Sequence, residues 1–365
     1  MLNTNQNISE FDVLHIITTI DFGGAEKQLL TLVQQQKKHG KKVAIVPLKG
    51  KLELLDNFTS TGTTVLSQFC NLNPLIQLVK LKLFINSNNL IVHAHLPRSE
   101  LLAALVAKPS RLIISRHNSE AFFPGAPAWF SRLLSIIVTS RATKVIAISN
   151  AVAEFLISTR EISKRNRSKI VTIYYGIDGI VGKNKNLENR SNLQLGTIAR
   201  IVDQKDIPTL LSGFQLILGH LRDAELHIAG TGILETKMKA LAIELGIDNK
   251  VHWHGKIKNI DKFLETIDIF LLTSKYEGFG LVLLEAMARG IPVVAANNSS
   301  IPEVVGSQGG LLFDTRNSES MCTQVMKLVK NQNNSKLMID PIYRASLFSA
   351  SRMEKEIDKL YGSMT

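Results

Sequence analysis

Residues 274–294 read SKYEGFGLVLLEAMARGIPVV, and they follow an apolar run, 267–272, that is typical of a buried strand. Two glycines within three positions, Gly278 and Gly280, predict a tight loop. The apolar segment after them predicts a short helix that stops near Gly290. The stretch therefore predicts a strand, a loop, a helix and the next strand of an α/β domain.

Two carboxylates lie at different points of this unit. Glu277 precedes the predicted helix, whereas Glu285 lies about one turn inside it, so the two would contact different parts of one ligand. The loop between them would offer backbone N–H groups at a positive helix end, which attracts phosphate without a metal. Carboxylates accept hydrogen bonds from sugar hydroxyls. The pattern predicts a site for a ligand that carries both phosphate and sugar.

Seven residues separate the two glutamates within EGFG…LLEAMARGIPVVA. This pattern resembles the donor-binding signature of retaining glycosyltransferases with the GT-B fold, particularly family 4. Further matches span residues 13–314. The resemblance implies an α/β fold of two doubly wound Rossmann-like domains that face each other across a cleft. A glycine turn with two solvated glutamates is the simpler alternative.

Length and composition agree with two domains. A chain of 365 residues with 45% hydrophobic content can form two cores of ordinary size. We expect an N-terminal acceptor-side domain over 1–180, a C-terminal nucleotide-sugar domain over 181–345, and a helix over 346–365 that returns to the first domain. The longest apolar runs, 101–107 and 133–138, are far shorter than the roughly 20 residues of a membrane span.

The N-terminus and the cysteines indicate a cytoplasmic protein. Residues 1–6 lack the basic and apolar regions of a signal peptide. Cys70 and Cys322 are far apart in sequence and have no metal-ligand spacing, which favours reduced thiols over a disulfide.

Charge is uneven along the chain. Of the net +12, residues 1–170 hold 21 Lys and Arg against 10 Asp and Glu, or +11, and the rest hold 22 against 21, or +1. This asymmetry indicates an anionic partner or simple solubility. Nucleic acid is not favoured, because no aromatic-interleaved or helix-turn-helix pattern is present. Clustered lysines can instead hold a protein on an anionic membrane surface, here at its cytoplasmic face.

The first strand and its loop are candidates for a phosphate contact. An apolar run over 13–17 leads to Gly23 and Gly24, and a helical pattern follows over 27–38. The sequence is not Gly-x-Gly-x-x-Gly, so a dinucleotide site is weakly indicated. The resemblance implies that both glycines face the donor, whereas a purely steric glycine turn is the alternative.

Histidines follow two later strands. His93 and His95 fall on one face of a strand over 90–95, but no Cys, Asp or third His lies nearby in sequence to complete a metal site. His95 could equally face the ligand or lie in the core. Ser115-Arg116-His117-Asn118 resembles a family segment whose histidine reaches the donor sugar near the reacting carbon, which makes His117 the catalytic candidate.

Residues 120–129 predict an irregular aromatic loop, which could contact an acceptor or a membrane, or only cap the core. Tyr175 stands where the family usually has asparagine, which puts that turn in doubt.

Two cations bracket a turn at the start of the second domain. Arg200 and Lys205 could hold a diphosphate from two sides, and in the family an Arg and a Lys at this spacing take the place of a metal ion. Asp206 replaces the usual glycine after the lysine. By resemblance, the nucleotide base lies near the loop after His254.

The sequence thus predicts a metal-independent retaining glycosyltransferase that uses no cofactor. Its donor would be a UDP- or GDP-linked sugar and its acceptor a lipid-linked or cell-envelope saccharide. Arg200 and Lys205 would stabilise the departing diphosphate, Glu277 would orient sugar hydroxyls and Glu285 would hold the ribose. Backbone amides around Phe279, Gly280 and Leu281 would assist. A nucleotide-sugar 2-epimerase of the same fold and a catalytically silent nucleotide-sugar binding subunit are the alternatives.

Overall fold

A computed structural model describes residues 11–86, 90–180, 182–185, 187, 192–330 and 339–364. It forms two compact units: Met1–Asp178 together with Ser349–Thr365 make unit 1, and Gly179–Phe348 make unit 2. The sequence placed the changes at 180 and 345, and the structure puts them at 178 and 348. Part of the segment 179–192, which its glycines, asparagines and charges predict to be a linker, lies outside the described residues, as does the N-terminal segment 1–10.

Parallel strands form the centre of both units. Unit 1 contains β1 Val13–Ile17, β2 Val43–Pro47, β3 Thr64–Val65, β4 Ile91–His95, β5 Leu112–Arg116, β6 Lys144–Ala147 and β7 Ile170–Thr172. Unit 2 contains β8 Gln194–Ile198, β9 Glu225–Ala229, β10 Val251–Gly255, β11 Ile269–Leu272, β12 Val293–Ala296 and β13 Gly310–Phe313.

Helices connect the strands. They are α1 Gly24–Lys38, α2 Leu55–Ser60, α3 Pro74–Asn86, α4 Pro97–Val106, α5 Ala128–Arg141, α6 Asn150–Ser158, α7 Ile207–Leu218, α8 Glu235–Glu244, α9 Ile260–Glu265, α10 Leu281–Met287, α11 Ile301–Val305, α12 Ser318–Lys330, α13 Pro341–Ser346 and α14 Ala350–Gly362. No helix of the described chain is long and apolar enough to cross a bilayer.

Strand order identifies the ligand-binding edge of each sheet. Within the described residues, unit 1 has the order β3-β2-β1-β4-β5-β6-β7 and unit 2 has the order β10-β9-β8-β11-β12-β13. The chain reverses its direction of growth between β1 and β4, and again between β8 and β11. In open parallel sheets ligands bind beyond the carboxyl ends of the strands at this switch point. Both units are doubly wound, as predicted.

Two helix starts differ from the sequence prediction. The pattern predicts a helix from residue 52, but α2 begins at Leu55 because Leu52 has a left-handed φ of 59°. The pattern also predicts a helix from residue 72, whereas α3 begins at Pro74. Asn73 ends the preceding loop there, because its side chain accepts a hydrogen bond from Leu75 N at 2.9 Å.

The C-terminal helix α14 is part of unit 1. Its first turn is capped by Ser349, whose hydroxyl accepts from Arg352 N at 3.2 Å, and Ala350 N donates to Ile177 O at 3.0 Å. A Cβ on Gly176 would lie 2.6 Å from Ala350 Cα, so only glycine permits this approach.

The centre of unit 1 is polar where its switch point lies. His15, His93 and His95 are 0%, 0% and 3% exposed. His15 Nδ1 lies 3.0 Å from His95 Nε2, and His15 Nε2 lies 3.0 Å from Gln36 Oε1. Burial lowers the pKa of His15 to about 4 and the pKa values of His93 and His95 well below their usual range. These rings are therefore neutral at physiological pH.

The burial of His15 predicts that the free energy of unfolding depends on pH, and comparison with the variant His15→Asn measures the contribution of this ring. The pKa of His15 in the folded protein, about 4, lies below its unfolded value near 6.5, so acid favours unfolding between those two values. The variant should be less stable than the wild type at pH 7, because it loses buried hydrogen bonds. The stability gap should narrow by about 2 kcal/mol between pH 7 and pH 5, since only the wild type incurs the cost of keeping this ring neutral. Urea unfolding at both pH values measures it, and a gap that stays constant or widens would contradict the prediction.

Candidate functional site

The loops after β8 and β11 meet at the switch point of unit 2. Lys275 N donates to Gln204 O at 2.8 Å, and Thr273 Oγ1 donates to Lys205 O at 2.8 Å. Gln204 Nε2 donates to Tyr276 O at 3.0 Å. These bonds hold the Arg200–Lys205 turn against the loop that carries Glu277. Residues 72 positions apart in sequence are thereby brought to one edge of the sheet.

Lys205 and Glu277 form an ion pair at this edge. Lys205 Nζ lies 2.5 Å from Glu277 Oε1, and both side chains are mostly buried, at 14% and 11% exposure. Ser274 Oγ donates to the same carboxylate oxygen at 2.6 Å. Glu277 Oε2 has no hydrogen-bond partner among the described residues, so it can accept from a ligand hydroxyl. Lys205 likewise keeps donor capacity, because an ammonium carries three hydrogens.

Arg200 lies on the exposed side of the same turn. Its Nη2 contacts Gln204 Oε1 at 3.4 Å, a long hydrogen bond that leaves most of the guanidinium facing solvent. The structure therefore brings an accessible cation, a mostly buried cation and a carboxylate to one edge of the sheet, and their binding of a phosphate and a sugar stays a prediction.

The backbone conformation and hydrogen bond of Asp206 explain how an aspartate can stand where the family usually has glycine. Its φ is 48°, in the left-handed region where glycine is the usual residue. Aspartate tolerates this region better than most residues. Its carboxylate accepts a hydrogen bond from Thr209 Oγ1 at 2.8 Å, at the start of α7. The turn keeps the backbone conformation that a glycine would have.

The loop before α10 can contact a ligand only partly through side chains. The ring of Phe279 is 2% exposed and packs edge-on against Phe348 at 5.9 Å between centroids. Gly280 has a φ of 85° and precedes the first residue of α10, Leu281, which is half-buried. At Phe279 and Gly280 only backbone atoms could reach a ligand.

Glu285 is the fifth residue of α10, close to the predicted position one turn inside the helix. It is 6% exposed, and its carbonyl oxygen accepts a hydrogen bond from Arg289 Nη1 at 2.8 Å. Glu277 and Glu285 are thus both buried, on different elements.

In the glycine loop of unit 1, a side chain at position 23 would meet a neighbouring group, whereas one at position 24 would not. Gly23 is extended, with a φ of −166°, and a Cβ there would lie 2.2 Å from Glu26 Oε2. A Cβ on Gly24 would meet nothing within 4 Å. A Cβ at position 23 would displace the Glu26 carboxylate from its present position, and positive φ plays no part there.

Glu26 is a residue for which the sequence suggested no role. It is 9% exposed, and Thr19 Oγ1 donates to its Oε1 at 2.6 Å. Burial raises the pKa of this carboxyl. Its charge also raises the pKa of Tyr175, so the two side chains lie in one electrostatic environment. A glutamate two residues after a glycine pair, in the first turn of the helix that follows β1, was the available signal.

His117 is held on both sides. Its Nε2 lies 3.2 Å from His95 Nδ1, and its Nδ1 is hydrogen-bonded to the Tyr175 hydroxyl. Burial, with Arg116 adding repulsion, lowers the pKa of His117 to about 3. The ring is therefore a neutral hydrogen-bonding group at physiological pH and carries no positive charge. Tyr175, which the sequence treated as a departure in doubt, is the partner that orients it.

Arg116 is a second feature that the sequence did not single out. Its Nε lies 2.8 Å from Glu100 Oε2, and its Nη1 lies 3.3 Å from Glu161 Oε2. All three side chains are buried. Burial raises the pKa of Glu100 to about 7 in spite of the arginine. This buried group fixes the end of β5 immediately before His117.

The sequence near His93 and His95 contains no third histidine, but the fold brings one beside them. His15, 78 positions before His93, lies on the adjacent strand β1, and the three rings could together hold an ion. Every ring nitrogen of the three already has a partner in this structure. His93 Nδ1 lies 2.7 Å from Tyr361 Oη and His93 Nε2 lies 2.7 Å from Ser115 Oγ. The cluster is a satisfied hydrogen-bond network.

In the aromatic segment 120–129, one residue caps the core and another is exposed for contact with an acceptor or a membrane. Phe122 is 1% exposed and lies 4.3 Å below the Arg116 guanidinium, so it caps the core. Trp129 belongs to α5 and is 68% exposed, so it is available for contact.

Comparison with known proteins identifies the family. The model for glycosyltransferase family 4 matches residues 22–179, and the model for glycosyl transferases group 1 matches residues 182–345. N-acetyl-alpha-D-glucosaminyl L-malate synthase of Bacillus anthracis is 26% identical over 74% of this chain and 72% of its own length. The capsular polysaccharide biosynthesis glycosyltransferase CapM of Staphylococcus aureus is 24% identical over 73% of each chain.

Solved structures share the fold. Anabaena HepE, crystallised with UDP and glucose, superposes with a TM-score of 0.80 at 18% identity, over 96% of this chain and 99% of its own. The galactosyltransferase WaaB of the lipopolysaccharide outer core, in its apo form, gives a TM-score of 0.72 at 18% identity, over 97% and 99% of the two chains. With its two doubly wound units and both family models matched in order along the sequence, this chain belongs to the group 1 glycosyltransferases of family 4 and has the GT-B fold.

Proposed function

We propose that the protein transfers a sugar from a nucleoside-diphosphate sugar to a cell-envelope saccharide, with retention of configuration and without a metal ion. The observation that carries this proposal is the Lys205–Glu277 pair at the switch point of unit 2. It sets a cation and a hydrogen-bond acceptor side by side, the combination that a diphosphate joined to a sugar would need. Arg200, exposed on the same turn, supplies a second cation.

The chemistry requires stabilisation of a leaving group. The bond between the anomeric carbon and the diphosphate oxygen breaks, and the electron pair leaves with the diphosphate. Arg200 and Lys205 neutralise the charge that develops there, which is the role a divalent ion has in other transferases. The acceptor oxygen then bonds to the anomeric carbon, and its proton passes to the departing diphosphate on the same face.

The two glutamates divide the ligand between them. Glu277 is anchored through Oε1 by Lys205 and Ser274, so its Oε2 is the atom proposed to accept from a sugar hydroxyl. Glu285, on α10, is proposed to hold the ribose hydroxyls. Backbone groups of the loop around Phe279, Gly280 and Leu281 complete the diphosphate site.

From the family resemblance, a donor contact is also proposed for the glycine loop and His117 of unit 1. A neutral imidazole can donate a hydrogen bond to a sugar hydroxyl or accept one from it. With its pKa lowered to about 3, the His117 ring carries no positive charge at physiological pH. His117 is proposed to position the donor sugar by exchanging one of its two ring hydrogen bonds, to His95 or to Tyr175, for one to a sugar hydroxyl, and Gly23 and Gly24 are proposed to present backbone.

Relatives suggest the kind of acceptor. Their names include a capsular polysaccharide glycosyltransferase, a lipopolysaccharide galactosyltransferase and a phosphatidylinositol monomannoside mannosyltransferase. We propose a lipid-linked or envelope saccharide acceptor, handled at the cytoplasmic face of a membrane. The proposed donor is a UDP- or GDP-linked sugar, since HepE has been crystallised with UDP and with UDP-glucose and a related mannosyltransferase depends on GDP-mannose.

An apolar face of unit 1 supports the membrane part of this proposal. On α3, Leu75, Val79 and Leu83 follow one another at intervals of four residues and are 75%, 55% and 69% exposed. On α5 a matching stripe contains Trp129, Phe130, Leu133 and Ile137, which are 40–68% exposed. The intervening helix α4 contacts both and adds Leu105, 53% exposed. Adjacent exposed apolar stripes of this kind mark an interaction surface.

We call this exposed surface of α3, α4 and α5 the α3–α5 face. The charges on its helices indicate an anionic partner. Its three helices carry the basic residues Lys80, Lys82, Arg98, Arg132 and Arg141. Their sole acidic residue within the described ranges is Glu100, which is buried against Arg116. Basic residues near an anionic bilayer contribute about 1 kcal/mol each, and apolar side chains insert beside them.

Substitution of the two glutamates tests the division of the ligand. Glu277→Gln should keep affinity for free nucleoside diphosphate but lower turnover, because the contact it weakens lies beyond the diphosphate. Glu285→Ala should weaken binding of the free nucleotide and the sugar nucleotide alike, by about 1–3 kcal/mol. Calorimetry and steady-state rates measure both, with unfolding midpoints and the exposed variant Glu319→Gln as controls. Equal loss of free diphosphate in the two variants would overturn the assignment.

Chelation tests metal independence. Turnover should persist in excess EDTA, because Arg200 and Lys205 stabilise the leaving group directly. Loss of turnover that magnesium or manganese restores would refute this part of the proposal. Product analysis in the same assay separates a transferred sugar from an isomerised sugar nucleotide or from no reaction.

Vesicle binding tests the α3–α5 face. The protein should bind vesicles that contain phosphatidylglycerol more tightly than neutral ones, and rising salt should weaken binding. Leu75→Gln combined with Val79→Gln should reduce binding at all salt concentrations, whereas Lys80→Gln with Lys82→Gln should reduce it mainly at low salt. Ile233→Gln, at an apolar position of unit 2 that is 91% exposed, is the matched control. Equal affinity for neutral vesicles, or variants that bind like the control, would exclude this face.

A further inference from the structure

A group of histidines lies in unit 2 outside the loops of the donor site. Glu225 and His227 alternate on β9, and His252 and His254 alternate on β10, so each pair projects from one face of its strand. The register sets His252 directly beside His227. We call these four residues the β9–β10 histidine cluster.

The polar atoms of the cluster converge. His252 Nε2 lies 3.3 Å from Glu225 Oε2, and His227 Nε2 lies 4.0 Å from the same oxygen. One ligand atom from each of these three residues lies within 4.8 Å of the other two. His254 Nε2 lies 3.0 Å from His227 Nδ1. In a tetrahedral zinc site with bonds near 2.1 Å, ligand atoms are separated by roughly 3.4 Å, so small side-chain rotations would close this triad.

One nitrogen of the cluster is unsatisfied. His252 Nε2 is out of contact with solvent and has no hydrogen-bond partner among the described residues, although it faces Glu225. An unpaired buried nitrogen is costly unless a ligand occupies it.

The buried histidines of unit 1 provide the contrast. There, both ring nitrogens of His15, His93 and His95 already have hydrogen-bond partners, and all three rings are almost fully excluded from solvent. In the β9–β10 histidine cluster the side chains of His252 and Glu225 are 42% and 31% exposed, so an ion has a path of entry. Of the two groups, this is the one that is both accessible and incomplete.

We propose that the β9–β10 histidine cluster binds a divalent transition-metal ion of the Zn²⁺ or Ni²⁺ class. His227 Nε2, His252 Nε2 and Glu225 Oε2 are the ligands, and water completes the coordination. Imidazole with a single carboxylate suits these metals rather than Mg²⁺ or Ca²⁺, which prefer oxygen ligands. His254 acts on His227, because its Nε2 can accept from the Nδ1–H of a His227 that ligates through Nε2. Binding replaces the hydrogen bond of 2.6 Å between His227 Nε2 and Gln194 Oε1.

Position in the sheet indicates what such an ion does. Glu225 is the first residue of β9 and His252 the second residue of β10, so the site lies toward the amino ends of the strands. The donor-site residues Arg200 and Glu277 follow the carboxyl ends. Strand β10 is the edge of the sheet and is hydrogen-bonded to β9 alone among the described strands. A bound ion links the edge strand to its neighbour and stabilises unit 2 without taking part in transfer.

Metal titration tests the proposal on protein freed of any affinity tag and chelator. One equivalent of Zn²⁺ or Ni²⁺ should bind and raise the thermal unfolding midpoint, whereas Mg²⁺ should not. His252→Asn and Glu225→Gln should each weaken Zn²⁺ binding at least tenfold and abolish the midpoint shift. His220→Asn, at an exposed histidine outside the cluster, should bind as the wild type does.

Two results would overturn the proposal. One is absence of Zn²⁺ and Ni²⁺ binding by the wild type under conditions in which nucleotide still binds. The other is undiminished binding by His252→Asn, which would assign the ion to a different group such as the buried histidines of unit 1. Since both variants change partly exposed side chains, circular dichroism should show the wild-type fold and confirm that a loss of binding is local. Zn²⁺ should leave turnover unchanged, which separates this site from the metal-independent transfer.

Discussion

The ion pair between Lys205 and Glu277 depends on a single property of the sheet in unit 2. The order of strands reverses between β8 and β11, so the loops that leave these neighbouring strands meet although 72 residues separate the pair. Hydrogen bonds from Lys275 N and Gln204 Nε2 then fix one loop on the other. The remaining donor-site residues, Arg200 before the pair and Glu285 after it, are placed by the elements that these loops join.

Unit 1 has neutral side chains, rather than an ion pair, at its switch point. At its own switch point the strands β1 and β4 bring buried histidines into contact, and the hydrogen bond from His95 extends to His117. Removal from water keeps every one of these rings uncharged. The candidate site of unit 2 thus carries fixed charges, whereas that of unit 1 carries an oriented neutral imidazole.

Much of the candidate donor site could be located from sequence because its residues are local. Glu277, Gly280 and Glu285 fall within nine positions, where loop and helix geometry follow from glycine and the apolar pattern. Arg200 and Lys205 likewise bracket one turn. The same local reasoning failed at the metal argument for His93 and His95, since it searched the sequence near them and the third ring, His15, comes from another strand. It also gave no role to Glu26 or Arg116, whose partners lie on other elements.

The sequence by itself determined the alternation of strands and helices, the two domains and the family, because apolar periodicity, glycine turns and motif spacing act over short stretches. Tertiary structure decided which side chains are partners. Tyr175 illustrates the difference: in sequence it is a departure from the family pattern, whereas in the fold its hydroxyl is hydrogen-bonded to His117, 58 positions away. The neutral state of the histidines was decided in the same way, because a pKa depends on burial and on neighbouring charges, and both are set only when the strands pack side by side.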